Sequence, residues 1–144
     1  MSTITIPDRS ICLINKFREA GLRITKQRCL IAEHLFSGGH RHVDAAMLYS
    51  ELLANDKHLS LATIYNALRD FEQHNLIRRV AVSADKVWYD TDIGDHRHFY
   101  VPAENRIMDC PDQKLPLTKF ADPPKGYKVT SIDIVVHLAP EDQC

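Results

Sequence analysis

The stretch from Ser60 to Asn75 limits the possible folds more than any other part of the chain. Within it Leu61, Ile64, Leu68 and Phe71 recur at i, i+3, i+7 and i+10, the spacing that lines up side chains on one face of an α-helix. Ser60 offers a hydroxyl as N-cap, and Asn75 is a residue that closes a helix in the left-handed conformation. The opposite face carries Ala62, Thr63, Asn66, Arg69 and Gln73. These side chains are short or hydrogen-bonding, suited to a major-groove edge or a phosphate.

Such a helix must bury its stripe against other elements, and the flanking sequence supplies them. Leu13 and Phe17, then Ile31 and Leu35, mark two helices separated by Gly21, with Thr25 capping the second over Lys26 to Phe36. Gly38-Gly39 ends that helix, and Asp44 caps another in which Leu48 and Leu52 share a face. After Asn75, the runs Ile77 to Val82 and Lys86 to Tyr89 are rich in β-formers and are separated by Ser83-Ala84-Asp85, a hairpin signal. Helices followed by a hairpin is the order of a winged helix.

Beyond Asp90 the pattern changes to short strands around His98 to Val101 and Arg106 to Asp109, then a proline-broken segment from Pro111 to Pro124. A final strand is expected from Val129 to Leu138. There Ile132, Ile134, Val136 and Leu138 alternate with Asp133, Val135 and His137, which puts the histidine on the face opposite the isoleucines. The expected architecture is α+β: a winged-helix DNA-binding domain over 1–90, then a small α/β domain over 91–144. Charge divides along similar lines. Up to Val80 there are 11 Lys+Arg against 8 Asp+Glu, net +3, and after it 7 against 11, net −4. A mildly basic half suits phosphates, and an acidic half supplies hard ligands.

The four cysteines, Cys12, Cys29, Cys110 and Cys144, are widely spaced and form no C-x-x-C pair. That argues against a disulfide framework and against a cysteine-ligated structural zinc. The segment MSTITIPDRS has no basic stretch followed by an apolar run, and nothing approaches membrane-spanning length. A soluble, cytoplasmic protein with no membrane partner is expected. No nucleophile with a neighbouring base can be recognised, and 5 glycines leave little room for a phosphate-cradling loop, so an enzyme is not expected.

Four stretches taken in order resemble the ferric uptake regulator family: GLRITKQR (21–28), RHVDAAMLYSEL (41–52), LSLATIYNALRDFEQHNLIRRV (59–80) and the KVWYDT…DHRH…GYKVTSIDIVVH ladder (86–137). The third is the most specific, because its SLAT-I-Y-N-x-L core is similar to the family's recognition helix. Within the family the chain looks most like the haem-responsive iron response regulators, which have Asn at the position of Asn66, a short histidine cluster and no cysteine pairs. It departs from them where three adjacent histidines would stand and His96-Arg97-His98 is found.

Alternate strand residues project to one face, so His96 and His98 can present two imidazoles to one first-row metal. The resemblance implies that Asp109 and His137 complete that site and that His42 with Asp90 contributes to a second, both placed around the interdomain region. The sequence leaves the grouping open. A mixed nitrogen and oxygen set suits Fe(II), Mn(II) or Zn(II). For haem the candidates are His96, His98 and Cys110, the last because Cys110-Pro111 has the form of a haem-thiolate dipeptide, although in related regulators that dipeptide lies near the N-terminus. On the DNA side, Thr63, Tyr65 and Asn66 are candidates for base contacts. Arg23, Lys26, Arg28, Arg69 and Lys86 are candidates for phosphates.

The function this implies is a homodimeric transcriptional repressor of iron or haem homeostasis on an A/T-rich inverted-repeat operator in double-stranded DNA. Two alternatives accompany it. One is a direct Fe(II)- or Mn(II)-sensing regulator of the same fold, with peroxide sensitivity through histidine oxidation. The other is a metal or haem carrier, or a metalloenzyme built on His96 and His98; binding to inverted A/T-rich half-sites separates these from a regulator.

Overall fold

The computed structural model describes residues 8–82, 86–94, 97–110, 122–130 and 132–141. The chain divides into two compact units, residues 1–93 and 94–144.

In the first unit, helix α1 (Asp8–Ala20) stops at Gly21, which adopts φ 74°. Its N–H donates to the Arg18 carbonyl at 3.1 Å and the Leu22 N–H to the Phe17 carbonyl at 2.9 Å, closing orphan carbonyls of the last turn. Helix α2 (Lys26–Leu35) begins at the expected cap, with the Thr25 side chain accepting from the Arg28 N–H. Helix α3 (Ala45–Ala54) begins where the Asp44 carboxylate accepts from the Met47 N–H. Helix α4 (Leu61–Gln73) begins where the Ser60 hydroxyl accepts from the Thr63 N–H. Asn75 has φ 58°, as expected at its end. Three caps and two left-handed stops thus lie where local hydrogen-bonding chemistry places them.

A two-residue strand absent from the sequence reading, β1 (His42–Val43), precedes α3. It pairs antiparallel with β3 (Val87–Asp90), and β3 pairs antiparallel on its other side with β2 (Arg78–Ala81), giving the order β1-β3-β2. The hairpin is as expected; its turn, 83–85, lies outside the described residues. The core gathers Phe17, Ile31, Leu35, Val43, Leu48, Leu52, Ile64, Leu68, Phe71 and Tyr89. At its centre the rings of Phe17 and Phe71 meet with centroids 5.6 Å apart. The expected stripe on α4 fails at one end. Leu61 is 40% exposed, whereas Ala67 is buried with Ile64, Leu68 and Phe71. Leu61 is the first residue of the helix and overhangs the edge of the core.

In the second unit, β4 (His98–Val101) and β5 (Arg106–Asp109) form an antiparallel pair joined through a 3₁₀ turn at Pro102–Glu104. Asn105, at φ 49°, closes that turn. Strand β6 (Val135–His137) lies parallel to β4 on its other edge, giving the order β5-β4-β6. Tyr100, Val101 and Ile107 are buried. The long strand expected from Val129 to Leu138 reduces to β6, because β4 is only 4 residues long and offers backbone partners over that span alone. Val129 stands 57% exposed outside the ladder. The expected alternation breaks at Val136, 39% exposed on this edge strand, whereas Ile132, Ile134 and Leu138 are half-buried and Asp133 and His137 exposed. The proline-broken segment lies largely outside the described residues.

The whole is α+β, with the helix-and-hairpin order of a winged helix in the first unit. Among the described residues no helix is long and apolar enough to cross a membrane.

The contrast between Phe71 and Leu61 is measurable. Phe71→Ala, which empties the centre of the core, is expected to lower unfolding free energy by about 3–5 kcal/mol. Leu61→Ala, at an overhanging position, is expected to cost less than about 1 kcal/mol. Urea unfolding followed by circular dichroism separates the two. Equal losses would mean that Leu61 belongs to the core after all.

Candidate functional site

Helix α4 buries one face and leaves Ala62, Tyr65, Asn66, Arg69 and Gln73 exposed on the other, with Tyr65 51% exposed. The polar atoms of this face are partly committed to one another. Arg69 Nη2 donates to Asn66 Oδ1 at 2.9 Å, and the Thr63 hydroxyl lies 2.7 Å from Ser60 Oγ, within the cap. Beside α4 the N-terminus of α2 forms a groove of about 330 Å³ whose lining includes Arg23, Gln27, Thr63 and Asn66. Arg28 braces that groove. Its Nη2 meets Asp70 Oδ2 at 2.8 Å, and its Nη1 donates to the Arg23 carbonyl at 2.8 Å. Arg23 and Lys26 are exposed.

Lys86, placed on the wing by the sequence, has its ammonium 2.7 Å from Asp44 Oδ2 and 4.9 Å from the centre of the Trp88 ring. Asp44 Oδ1 meanwhile accepts from the Met47 N–H at 2.7 Å. One carboxylate therefore caps α3 and anchors the wing, a double role that the sequence signalled only by its cap half. Tyr89, on β3, packs into the core. Burial, and after it the Glu72 carboxylate, pushes its phenol up from the ordinary value, so it remains a neutral hydroxyl.

Two histidine–carboxylate pairs form as direct cross-strand partners, one in each unit. In the first, the register sets His42 opposite Asp90, with His42 Nε2 3.0 Å from Asp90 Oδ2. Asp90 is 1% exposed, and its Oδ1 accepts from the Asp92 N–H at 2.8 Å, which fixes the carboxylate's orientation. The strand contact extends one residue further. The Arg41 N–H donates to the Thr91 hydroxyl at 2.8 Å, and the Thr91 N–H donates to the Arg41 carbonyl at 3.1 Å. Arg41 is itself held by Glu51 at 2.6 Å, with His34 Nε2 3.5 Å from the same carboxylate.

In the second unit the register sets His98 opposite Asp109, with His98 Nε2 3.7 Å from Asp109 Oδ1 and His98 4% exposed. The donor chemistry of each pair fits a divalent ion. Ligands at about 2.0–2.2 Å from one metal stand roughly 3–3.6 Å apart, near the separations found. His137 sits elsewhere on the sheet. It is the cross-strand neighbour of Tyr100, with ring centroids 5.7 Å apart in an edge-on arrangement, and it is exposed. Cys110 is half-buried, and its N–H donates to the Arg97 carbonyl at 2.8 Å. His96 lies outside the described residues.

A sequence profile of the ferric uptake regulator family matches residues 19–137. Among curated proteins, the peroxide-responsive repressor of Staphylococcus aureus is 32% identical over 96 residues, covering 67% of this chain and 64% of the relative. The chain thus spans less than two thirds of that relative's length. Among solved structures, the ferric uptake regulator of Pseudomonas aeruginosa with manganese aligns with a TM-score of 0.69 at 24% identity, covering 89% of this chain and 97% of that one. The ferric uptake regulator of Francisella tularensis with iron aligns with a TM-score of 0.65 at 19% identity, covering 84% and 93%. At these identities the two structures speak for the fold.

Two outcomes follow from the side-chain contacts. Asp44→Ala removes both cap and anchor and is expected to cost about 1–2 kcal/mol, whereas Asp44→Asn keeps a capping oxygen and is expected to cost less than about 1 kcal/mol. Thermal unfolding of both variants checks this, and equal losses would show that the cap is immaterial. The Cys29 thiol is pushed up from 9.0 by burial and then by Glu33, so its thiolate fraction at neutral pH is depressed. Alkylation mapped by mass spectrometry at pH 7 should label exposed Cys12 before Cys29; the reverse order would contradict the burial argument.

Proposed function

Because this chain belongs to the ferric uptake regulator family, we propose that it is a DNA-binding, metal-responsive transcriptional regulator and not an enzyme. The observation that carries the reading is α4: a capped helix with a fully apolar buried face and an exposed face of Tyr65, Asn66 and Arg69, set beside an antiparallel hairpin. That is the arrangement in which a winged helix presents side chains to a major groove. One such unit reads a single half-site, so the working form is a homodimer on an inverted, A/T-rich operator. Arg23 and Lys26 contribute phosphate contacts. Arg28 and Lys86 act chiefly as braces through Asp70 and Asp44.

The effector in this reading is a divalent ion, Mn(II), Fe(II) or Zn(II). Within each unit one pair, His42 with Asp90 in the first and His98 with Asp109 in the second, would contribute one imidazole nitrogen and one carboxylate oxygen as ligands to such an ion. Bound there, the ion supplies positive charge and fixed ligand geometry. The protein's own contribution is to hold the strands at the register that brings each pair together, with the Asp92 N–H orienting Asp90. The relatives named above are a peroxide-responsive repressor and regulators solved with manganese or iron, which accords with a metal effector.

Haem control is the second reading. Asn66, the absence of cysteine pairs and the His96-Arg97-His98 run favour it, by their likeness to the haem-responsive subgroup. His98 is buried and has the Asp109 carboxylate as its cross-strand partner, and a mixed nitrogen and oxygen donor set suits a divalent ion, so the metal reading takes precedence.

Fluorescence anisotropy on a duplex with inverted A/T-rich half-sites, with Mn(II), Fe(II), Zn(II) or haem added in turn, tests both. A divalent ion should tighten binding, and His42→Ala or His98→Ala should weaken the metal response by about tenfold or more. A response to haem alone, with a shifted Soret band, would replace the metal reading by the haem reading. Absence of duplex binding under every condition would sink the regulator.

A further inference from the structure

Strand β1 is two residues long and carries His42, and its two ends are fixed by different means. After His42, Val43 is fully buried in the core and Asp44 caps α3. Before it, the chain arrives through the turns and bends of 36–40, where Gly39 has φ 85°. A ladder of two pairs holds its register weakly. One residue of slip would set Arg41 or Val43 opposite Asp90 and turn the His42 imidazole to the other face of the sheet.

Arg41 secures that first end twice over. Its N–H donates to the Thr91 hydroxyl at 2.8 Å, and its carbonyl accepts from the Thr91 N–H at 3.1 Å, one residue beyond Asp90. Its side chain is held by a different element. Arg41 Nη2 lies 2.6 Å from Oε1 and 2.8 Å from Oε2 of Glu51 on α3, and Oε2 is 3.5 Å from His34 Nε2 on α2. Arg41 and Glu51 are both half-buried, and all these residues belong to the first unit.

We propose that Glu51 is a positioning residue for the metal site: through Arg41 it holds the start of β1 so that His42 stays opposite Asp90. This rests on the metal reading of His42 and Asp90 above. Arg41 is a permanent cation with no acceptor, so it is no ligand, and its charge by itself would repel a divalent ion. Charge alone therefore predicts that losing Arg41 tightens metal binding and that losing Glu51 weakens it. Positioning predicts that both losses weaken it.

The test exploits that opposition. Affinity of the full chain for Mn(II), Fe(II) and Zn(II) is measured by titration calorimetry, at a temperature where circular dichroism shows every variant folded. His42→Ala identifies the binding event that belongs to this pair. Arg41→Met and Glu51→Met keep a long side chain but remove the contact, and each is expected to weaken that event about tenfold or more, as loss of a ligand-orienting residue does. The double variant should lose little more than either single one, because both break the same contact. In the metal-free protein, hydrogen exchange at the Thr91 amide should quicken in both variants while that at Leu68, in α4, does not. Where a Met variant fails to fold, Arg41→Lys and Glu51→Gln carry the same comparison, with a smaller loss expected in each. Tighter or unchanged metal binding in the Arg41 variant, or Thr91 exchange unchanged in both, overturns the proposal while leaving the metal reading in place. If no binding event is lost in His42→Ala, the metal reading of this pair falls and the proposal falls with it.

Discussion

The first unit depends on the burial of one face of α4. Ile64, Leu68 and Phe71 are fully buried, and Phe71 meets Phe17 of α1 at the centre of the core. Burying side chains of this size is worth about 1.5–3 kcal/mol each, enough to fix the rotation of the helix about its own axis. That rotation decides the rest. Once Ile64, Ala67, Leu68 and Phe71 point inward, Tyr65, Asn66 and Arg69 must point outward together, and the recognition face follows from the hydrophobic core.

Strand β3 carries the second dependency. It is central in its sheet, with β1 on one side and β2 on the other, and two adjacent residues on it serve different ends. Tyr89 packs into the core, while Asp90 faces His42 across the ladder. Successive strand residues point to opposite faces, so a single peptide unit links the packing that positions α4 to the carboxylate proposed as a metal ligand. Lys86, just before β3, ties the same strand to the N-terminus of α3 through Asp44. A shift of β3 would be felt at both places, because close-packed elements move as units rather than deforming continuously.

Positive charge on the first unit is less available than a count of Lys and Arg suggests. Arg28 is engaged by Asp70, Arg41 by Glu51 and Lys86 by Asp44. These pairs join α2 to α4, the start of β1 to α3, and the wing to α3. What remains exposed near the groove is Arg23 and Lys26, with Arg69 holding Asn66. Of the 11 Lys and Arg up to Val80, Arg28 and Arg41 are held in such pairs, as is Lys86 beyond it, and recognition rests on groups whose surroundings these pairs help to fix.

The sequence by itself determined what depends on near neighbours. The caps at Thr25, Asp44 and Ser60, the left-handed Asn75 and the existence of the β2–β3 hairpin were legible, because each reflects hydrogen bonds or side-chain periods spanning a few residues. His98 could be named as a candidate ligand from its spacing to His96, and Asp109, His42 and Asp90 only by likeness to a family. Only the tertiary structure decided which of them meet: β1 is 2 residues long and carries no periodicity, yet its register puts His42 opposite Asp90, 48 positions away in the numbering. In the same way the register of β6 set His137 beside Tyr100, the edge of the core left Leu61 exposed, and Asp44 claimed Lys86. The physical reason is common to all of these. Periodicity reports which face of an element is apolar, whereas partners across a ladder or a core are chosen by the whole chain's packing, which no local window contains.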